Sequence, residues 1–398
     1  MRLVIVSHVT HFRWQGQLHA YAPYAREIDI WADLFPEVTI AAPLREEQPP
    51  ADNAPFTRTN IGIHPVREAG GDGLAAKIGL ALTTPVMIYE LCRAMSRADA
   101  IHVRCPGNLG LLAALLAPLF STRLIAKYAG QWGPYPGEAL TVRLQRAILR
   151  SRWFKGPVTV YGEWPDQPPH VIPFFTSVLN DEQLERGRKA ALRRRRGHPL
   201  RIVFSGRLSE AKNVDVLLRA MARVAGEGVP MQATILGDGP MMGKLKDLAS
   251  SLGIAGQVDF RGGVSYEEVL ETLERSDILT LVSETEGWPK ALAEGMSFGL
   301  ACIGSNRGWV PRMLAEGRGL VVEPGDADEL AAALMRIATR PDECAAMCAR
   351  AREWVAGYSL EGLRDALRGL MIRHWNLPDT ALPQIERPLA PPAEATRN

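Results

Sequence analysis

The sequence predicts an α/β protein built from two doubly wound domains, and three observations lead there. Its 398 residues are enough for two buried cores. Short apolar runs of strand length alternate with longer amphipathic stretches, the pattern of parallel sheets with crossover helices. That alternation occurs twice, on either side of a strongly basic stretch between residues 181 and 199.

In the first half, strands are expected at 3–7, 38–42, 100–103, 123–128, 159–161 and 170–172, from their runs of Val, Ile, Leu and Ala. Helices are expected at 22–34, 75–96 and 109–117 between them. The lipophilic run 109–120 is 12 residues long with Pro118 inside it, so it reads as a buried helix that proline helps to end. Leu-Val-Ile-Val directly after Arg2 reads as a first strand, not a signal peptide.

The second half repeats the pattern, with strands at 201–205, 232–236, 257–260, 278–282, 302–304 and 319–322. A last amphipathic helix covers 360–374. The expected boundaries are therefore 1–180, a basic linker 181–199, 200–358, a C-terminal helix 359–376 and a proline-rich disordered tail 377–398.

A net charge of +2 gives no global field for nucleic acid. The run Arg193, Arg194, Arg195, Arg196 lacks the interleaved aromatics of a single-strand groove. Five cysteines without a paired Cys-x-x-Cys point to a reduced, cytoplasmic setting. His8, His11 and His19 are irregularly spaced with no acidic cluster, and Asp326-Ala-Asp328 reads as a helix start, so no metal site is expected. The stretch 139–155 interleaves Arg143, Arg146, Arg150, Arg152 and Lys155 with Leu140, Leu144, Ile148, Trp153 and Phe154. It fits equally an ordinary surface helix and one resting on an anionic membrane at the inner face.

The chemistry concentrates at the strand ends of the second half. Glu286 and Glu294 are separated by seven residues, in a loop and in the helix that follows it, with Pro289 suited to the helix start and Gly299 to its end. The N–H groups of such a helix start favour an anion. Ser205-Gly-Arg207-Leu-Ser-Glu-Ala-Lys212-Asn213 places two cations at a strand end and a helix start, where they suit a diphosphate. Leu236-Gly237-Asp238-Gly-Pro240 is a tight turn opening the next helix. Gly237, Gly239 and Gly243 are spaced one residue too long for the dinucleotide fingerprint, which makes a nicotinamide oxidoreductase a poor fit.

Taken together and in this order, Gly-Arg-Leu with a lysine five residues after the arginine, Leu-Gly-Asp-Gly-Pro and the paired glutamates resemble the family 4 glycosyltransferases from residue 201 to about 325. These are a retaining, metal-independent group with the two-domain GT-B fold. The resemblance implies a nucleotide-sugar donor (UDP- or GDP-linked), no cofactor, and a saccharide or lipid-linked saccharide acceptor in cell-surface polysaccharide or glycolipid synthesis. It implies Arg207 and Lys212 at the donor diphosphate, Glu294 on the ribose and Glu286 facing the donor sugar. Gly287, Trp288, Pro289 and Lys290 would lie around the donor, with Gly263 and Val264 near the base and Gly237 at its strand end. Gly16 stands where a family glycine approaches the donor phosphate. It also implies that the last helix returns to the first domain. His102, Gln131, Trp132 and Trp14 are the acceptor-side candidates. Where many members carry a histidine, this chain has Tyr128-Ala-Gly-Gln131-Trp132, so no general base is carried over. A nucleotide-sugar epimerase or hydrolase, and a binding or scaffold protein with a decayed site, are the alternative readings.

Overall fold

The computed structural model describes residues 1–67, 74–135, 138–177, 179–195 and 197–385. The first half holds β1 (Arg2–Val6), β2 (His11–Trp14), β3 (Gln17–Tyr21), α1 (Ala22–Leu34), β4 (Glu37–Ala42), β5 (Leu44–Arg45), β6 (Asn53–Pro55) and β7 (Ile61–Pro65). It continues with α2 (Leu74–Met95), β8 (Ala100–Cys105), α3 (Asn108–Leu116), β9 (Leu124–Tyr128), α4 (Leu140–Arg150), β10 (Val158–Tyr161) and β11 (Val171–Phe174). The second half holds α5 (Asp181–Arg193), β12 (Leu200–Ser205), α6 (Val214–Gly226), β13 (Met231–Leu236), α7 (Met242–Ser251), β14 (Val258–Gly262), α8 (Tyr266–Arg275) and β15 (Ile278–Leu281). After these come α9 (Lys290–Ser297), β16 (Ala301–Ser305), α10 (Val310–Leu314), β17 (Leu320–Val322), α11 (Ala327–Thr339), α12 (Pro341–Val355) and α13 (Leu360–His374).

Two parallel sheets organise the chain, with orders β11-β10-β9-β8-β1-β4-β7 and β14-β13-β12-β15-β16-β17. Each winds outward from a central strand in one direction and then restarts on that strand's other side. The reversals lie between β1 and β8 and between β12 and β15, and a crevice opens beyond the carboxyl ends of strands at such points. Every strand residue of β8, β9, β15 and β16 is buried, as sheets covered by helices on both faces require.

Three sequence expectations are corrected. Residues 181–193 are a helix, not a linker, because Asn180 and Gln183 form a reciprocal capping box. This helix lies on the second domain: a Cβ on Gly187 would stand 2.7 Å from the Ser297 carbonyl, and Arg186 pairs with Glu267 and Glu274. Arg194 bonds the Leu273 and Phe298 carbonyls; Arg196 lies outside the described residues. Second, the proline-rich end is packed as far as residue 385. Leu382 is buried and the Arg364 and Arg368 side chains bond the Ile385, Leu382 and Pro383 carbonyls. Residues 386–398 lie outside the described residues. Third, the connection after β1, where the sequence suggests a loop, supplies β2 and β3 of a mixed four-stranded sheet, β5-β2-β3-β6, whose other two strands come from the connection after β4.

The chain crosses between domains near residues 175–180 and 356–360, and the crossings are tied by the Leu360 N–H donating to the Leu179 carbonyl at 2.9 Å. Beyond the second crossing, α13 buries Leu363, Leu367, Leu370 and Met371 with Tyr24, Ile28, Trp31 and Leu34 of α1.

Candidate active site

At the second reversal, adjacent strands β13, β12 and β15 deliver the motif loops side by side. Backbone approach there is very close. A Cβ on Gly237 would stand 1.9 Å from the Gly206 carbonyl, and the Gly237 N–H bonds the Gly262 carbonyl at 2.7 Å, so glycine is required where three strand ends converge. Asp238 accepts the Gly239 N–H, which makes it a turn former. Gly263 and Val264 occupy the β14–α8 turn, with Val264 packed against the core.

Arg207 follows β12, is exposed, and its side chain makes no hydrogen bond or ion pair among the described residues. Lys212 is held by Glu286 at 2.6 Å. The two loops are laced further by the Glu284 N–H to the Ala211 carbonyl and by the Asn213 side chain, which bonds the Val282 carbonyl and Glu284. Asn213 stands at the cap position of α6, but its side-chain amide goes to the lacing and makes no cap bond. Gly308 allows the Glu286 backbone to pass, since a Cβ there would stand 1.7 Å from the Glu286 carbonyl.

Pro289 sits at the cap position and Lys290 opens α9, a one-residue difference from the sequence reading. Gly299, with φ +69°, closes the helix as expected. Glu294 points inward and is buried. Burial raises its pKa, opposed by the Tyr266 hydroxyl that donates to it and by the charges of Arg26 and Lys290. Arg26, on α1 of the first domain, lies 3.3 Å over the Tyr266 ring and so bridges the cleft.

Trp288, expected beside the donor, has its ring in a different place. It is 5% exposed and packs at 4.5 Å from Trp309, 5.2 Å from Tyr358 and 6.2 Å from Phe175, between the two crossings. Only its backbone belongs to the loop facing the cleft. Neighbouring Gly287 is where the domains touch: a Cβ would stand 2.9 Å from the Tyr161 ring of β10.

On the first-domain side the structure assembles residues that the sequence reading left out. Arg104 of β8 and Lys127 of β9 are registered opposite each other near their strand ends. Both reach Glu27 of α1, at 3.3 and 2.7 Å, and Lys127 also donates to Thr176 at 3.2 Å. Burial pushes Glu27 up, but the charges of Lys127, Arg104 and Lys290 together hold it well below the usual carboxylate range. Lys290 makes no hydrogen bond or ion pair among the described residues, and its charged neighbours are Glu27, Lys127, Arg104 and Glu294. The sequence groups it with the donor; the structure turns it towards the first domain. The available signal was a lone charge near the end of each apolar strand, Ala-Ile-His-Val-Arg104-Cys and Leu-Ile-Ala-Lys127-Tyr.

The acceptor-side candidates fare differently. His102 is fully buried in mid-strand, stacked 4.5 Å from Trp31, with burial pushing its pKa down to about 3; it is core. Trp132 is 2% exposed, edge-on to Tyr128, with its N–H on Gln167. Gln131 is partly exposed beside it. Trp14 is exposed on β2, and Gly16 forms the β2–β3 hairpin tip with Gln15, both at positive φ. Gly16 is thus explained by the turn. The chain enters α1 instead through Tyr21, Ala22 and Pro23.

The profile described as "Glycosyl transferases group 1" matches residues 189–354, the part of the chain that holds these loops. Over this segment the chain is similar to the group 1 glycosyltransferases. The chain is 29% identical over 319 residues to a Corynebacterium glutamicum protein named GDP-mannose-dependent monoacylated alpha-(1-6)-phosphatidylinositol monomannoside mannosyltransferase, covering 73% of this chain and 81% of that one. It is 32% identical over 146 residues to the amylovoran biosynthesis glycosyltransferase AmsK of Erwinia amylovora, covering 35% of this chain and only 36% of that one. Among solved structures it superposes on sucrose-phosphate synthase from Thermosynechococcus elongatus with a TM-score of 0.71 at 16% identity, over 94% of this chain and 99% of that one. It superposes on Anabaena HepE, solved with UDP and glucose, with a TM-score of 0.67 at 13% identity, over 92% of this chain and 98% of that one. The fold is GT-B: two Rossmann-like domains facing across a cleft.

Proposed function

We propose that the protein transfers a sugar, with retention and without a metal ion, from a UDP- or GDP-sugar to an acceptor hydroxyl in cell-surface polysaccharide or glycolipid assembly. The observation that carries this reading is Arg207, an uncommitted cation at the β12–β15 reversal, beside the Lys212–Glu286 pair. As the bond from the anomeric carbon to the donor phosphate breaks, its electron pair leaves with the diphosphate. Arg207 and Lys212 stabilise that developing charge, the role a divalent ion plays elsewhere. The acceptor oxygen attacks from the face the diphosphate leaves, and its proton passes to a departing phosphate oxygen. No histidine is needed for that route. Glu294 binds the ribose and Glu286 the donor sugar.

The names of the C. glutamicum and E. amylovora relatives favour glycolipid or polysaccharide products and put GDP beside UDP as a base to test. Thermal-shift titration of UDP, GDP and ADP, with and without Mg²⁺, checks the reading. Stabilisation by one diphosphate, independent of Mg²⁺ and lost in Lys212→Ala, is expected; no stabilisation by any of the three would overturn it.

Membrane contact is part of the same proposal. Leu140, Arg143, Leu144 and Arg150 line the exposed side of α4, and exposed Trp153 is tied to the Leu115 carbonyl by its N–H. An exposed mixture of leucine, tryptophan and arginine suits an anionic bilayer surface. Co-sedimentation with phosphatidylglycerol vesicles, weakened by Leu144→Glu and by salt, is expected; equal binding to neutral vesicles would count against it. Among the described residues no helix is long and apolar enough to cross a membrane.

A further inference from the structure

Two sets of cations meet in the cleft, and a sugar donor explains one of them. Arg207 and Lys212 stand on the second domain, beside the loops assigned to the donor. Arg104 and Lys127 stand on adjacent first-domain strands, with Lys290 of α9 facing them. Among the described residues, Glu27 is the one carboxylate within ion-pair distance of this second set. Even with Glu294 counted beside Lys290, three cations against two carboxylates leave positive charge in excess where Arg104 and Lys127 are both buried, a costly arrangement until an anion completes it.

The hydrogen-bond inventory agrees. Lys127 spends two protons, on Glu27 and Thr176, and keeps one. Arg104 reaches Glu27 through Nη1, leaving the rest of its fork. Lys290 donates no proton to any partner among the described residues. The three side chains thus offer several unspent donors, supplied by both domains, at the floor of the cleft.

We propose that Arg104, Lys127 and Lys290 form an anion subsite that holds a carboxylate or phosphate carried by the acceptor. The proposal rests on the glycosyl-transfer reading above and adds a substrate class to it: acceptors bearing a negative charge. The donor's charge is met by Arg207 and Lys212, so the subsite fills independently of the diphosphate. A docked anion fixes one end of the acceptor and also fastens β8 and β9 to α9, drawing the domains together only when acceptor is present.

The test uses the full chain saturated with UDP or GDP, whichever binds, titrated at constant ionic strength with inorganic phosphate and, separately, with glucuronate. A further, saturable rise in Tm is expected with at least one of them, and the more effective probe identifies the acceptor's anion. The loss of charge-assisted hydrogen bonds in Lys290→Gln should weaken that second binding by about tenfold or more, while the diphosphate still stabilises the variant. Lys290 has no ion pair to orphan, so this variant is expected to fold; Arg104→Lys, which keeps the charge but loses the fork, should give a smaller loss. No rise above the diphosphate, a rise unchanged in Lys290→Gln, or phosphate merely displacing the diphosphate would each overturn the subsite. If neither UDP nor GDP binds, the glycosyl-transfer reading fails instead, and titration of the free chain and of Lys290→Gln with the same two anions still decides the subsite.

Discussion

Arg207 and Arg104 occupy comparable places, each near the end of a strand beside its sheet's point of reversal, yet the protein handles them in opposite ways. Arg207 is exposed and uncommitted. Arg104 is buried, shares Glu27 with Lys127, and lies 5.1 Å from the Tyr24 ring. A cation that meets charge appearing during a reaction gains from being free beforehand, because nothing has to be broken to use it. A buried cation has no such freedom, since without a built-in carboxylate its desolvation would oppose folding. The second domain therefore carries the more reactive charge and the first the more structural one.

That contrast can be broken at its strongest point first. Glu27→Gln leaves Arg104 and Lys127 uncompensated, and removing one partner of a buried pair costs about 3–5 kcal/mol. A large fall in Tm is expected, and an unchanged melting curve would show that the first-domain charges are solvated. Arg207→Ala should leave Tm within about 1 °C, because exposed side chains without partners contribute little. Its kcat should fall by about 10²–10³-fold, the scale for loss of one preorganised donor to a developing charge. Glu294→Ala should instead act on donor affinity, since its proposed contact exists before reaction as well as during it. Equal kcat losses with unchanged donor affinity in both variants would merge the two roles.

The smallest effect concerns Lys290. Burial, reinforced by the like charges of Lys127 and Arg104 and opposed by Glu27 and Glu294, pushes its pKa down to about 7. The folded chain gives up this proton before the unfolded chain does. Above that pH the unfolded state binds more protons, so this residue's contribution to stability rises with pH. The Tm of wild type minus that of Lys290→Met should therefore increase from about pH 6.5 to about pH 9. A pH-independent difference would mean the amine stays charged and well hydrated.

The sequence was most informative where chemistry and local geometry coincide. Arg207, Lys212, Glu286 and Glu294 stand out because glycines and a proline around them mark strand ends and a helix start. Both sheets were legible from their apolar runs, apart from β7 and the small sheet containing the β2–β3 hairpin, whose strands are short and mixed in polarity. α5 is hard to read from sequence because its arginine-rich composition matches a solvated linker, while its start rests on the capping pair Asn180 and Gln183. The Glu27 cluster was out of reach for a different reason. Its members lie at positions 27, 104, 127 and 290, and only tertiary folding brings them together. Trp288 shows the reverse error: it sits inside a functional loop, but its ring serves the crossings between domains.

The position of α13 has a consequence for synthesis on the ribosome. Its apolar side covers Tyr24, Ile28, Trp31 and Leu34, residues that emerge more than three hundred positions earlier. The second domain draws its buried cluster from residues 161–355 and can close as that stretch emerges. The first domain must wait with one flank uncovered until residues 360–374 appear, and an uncovered apolar flank invites misassembly. The half of the molecule that is translated first is thus the half completed last.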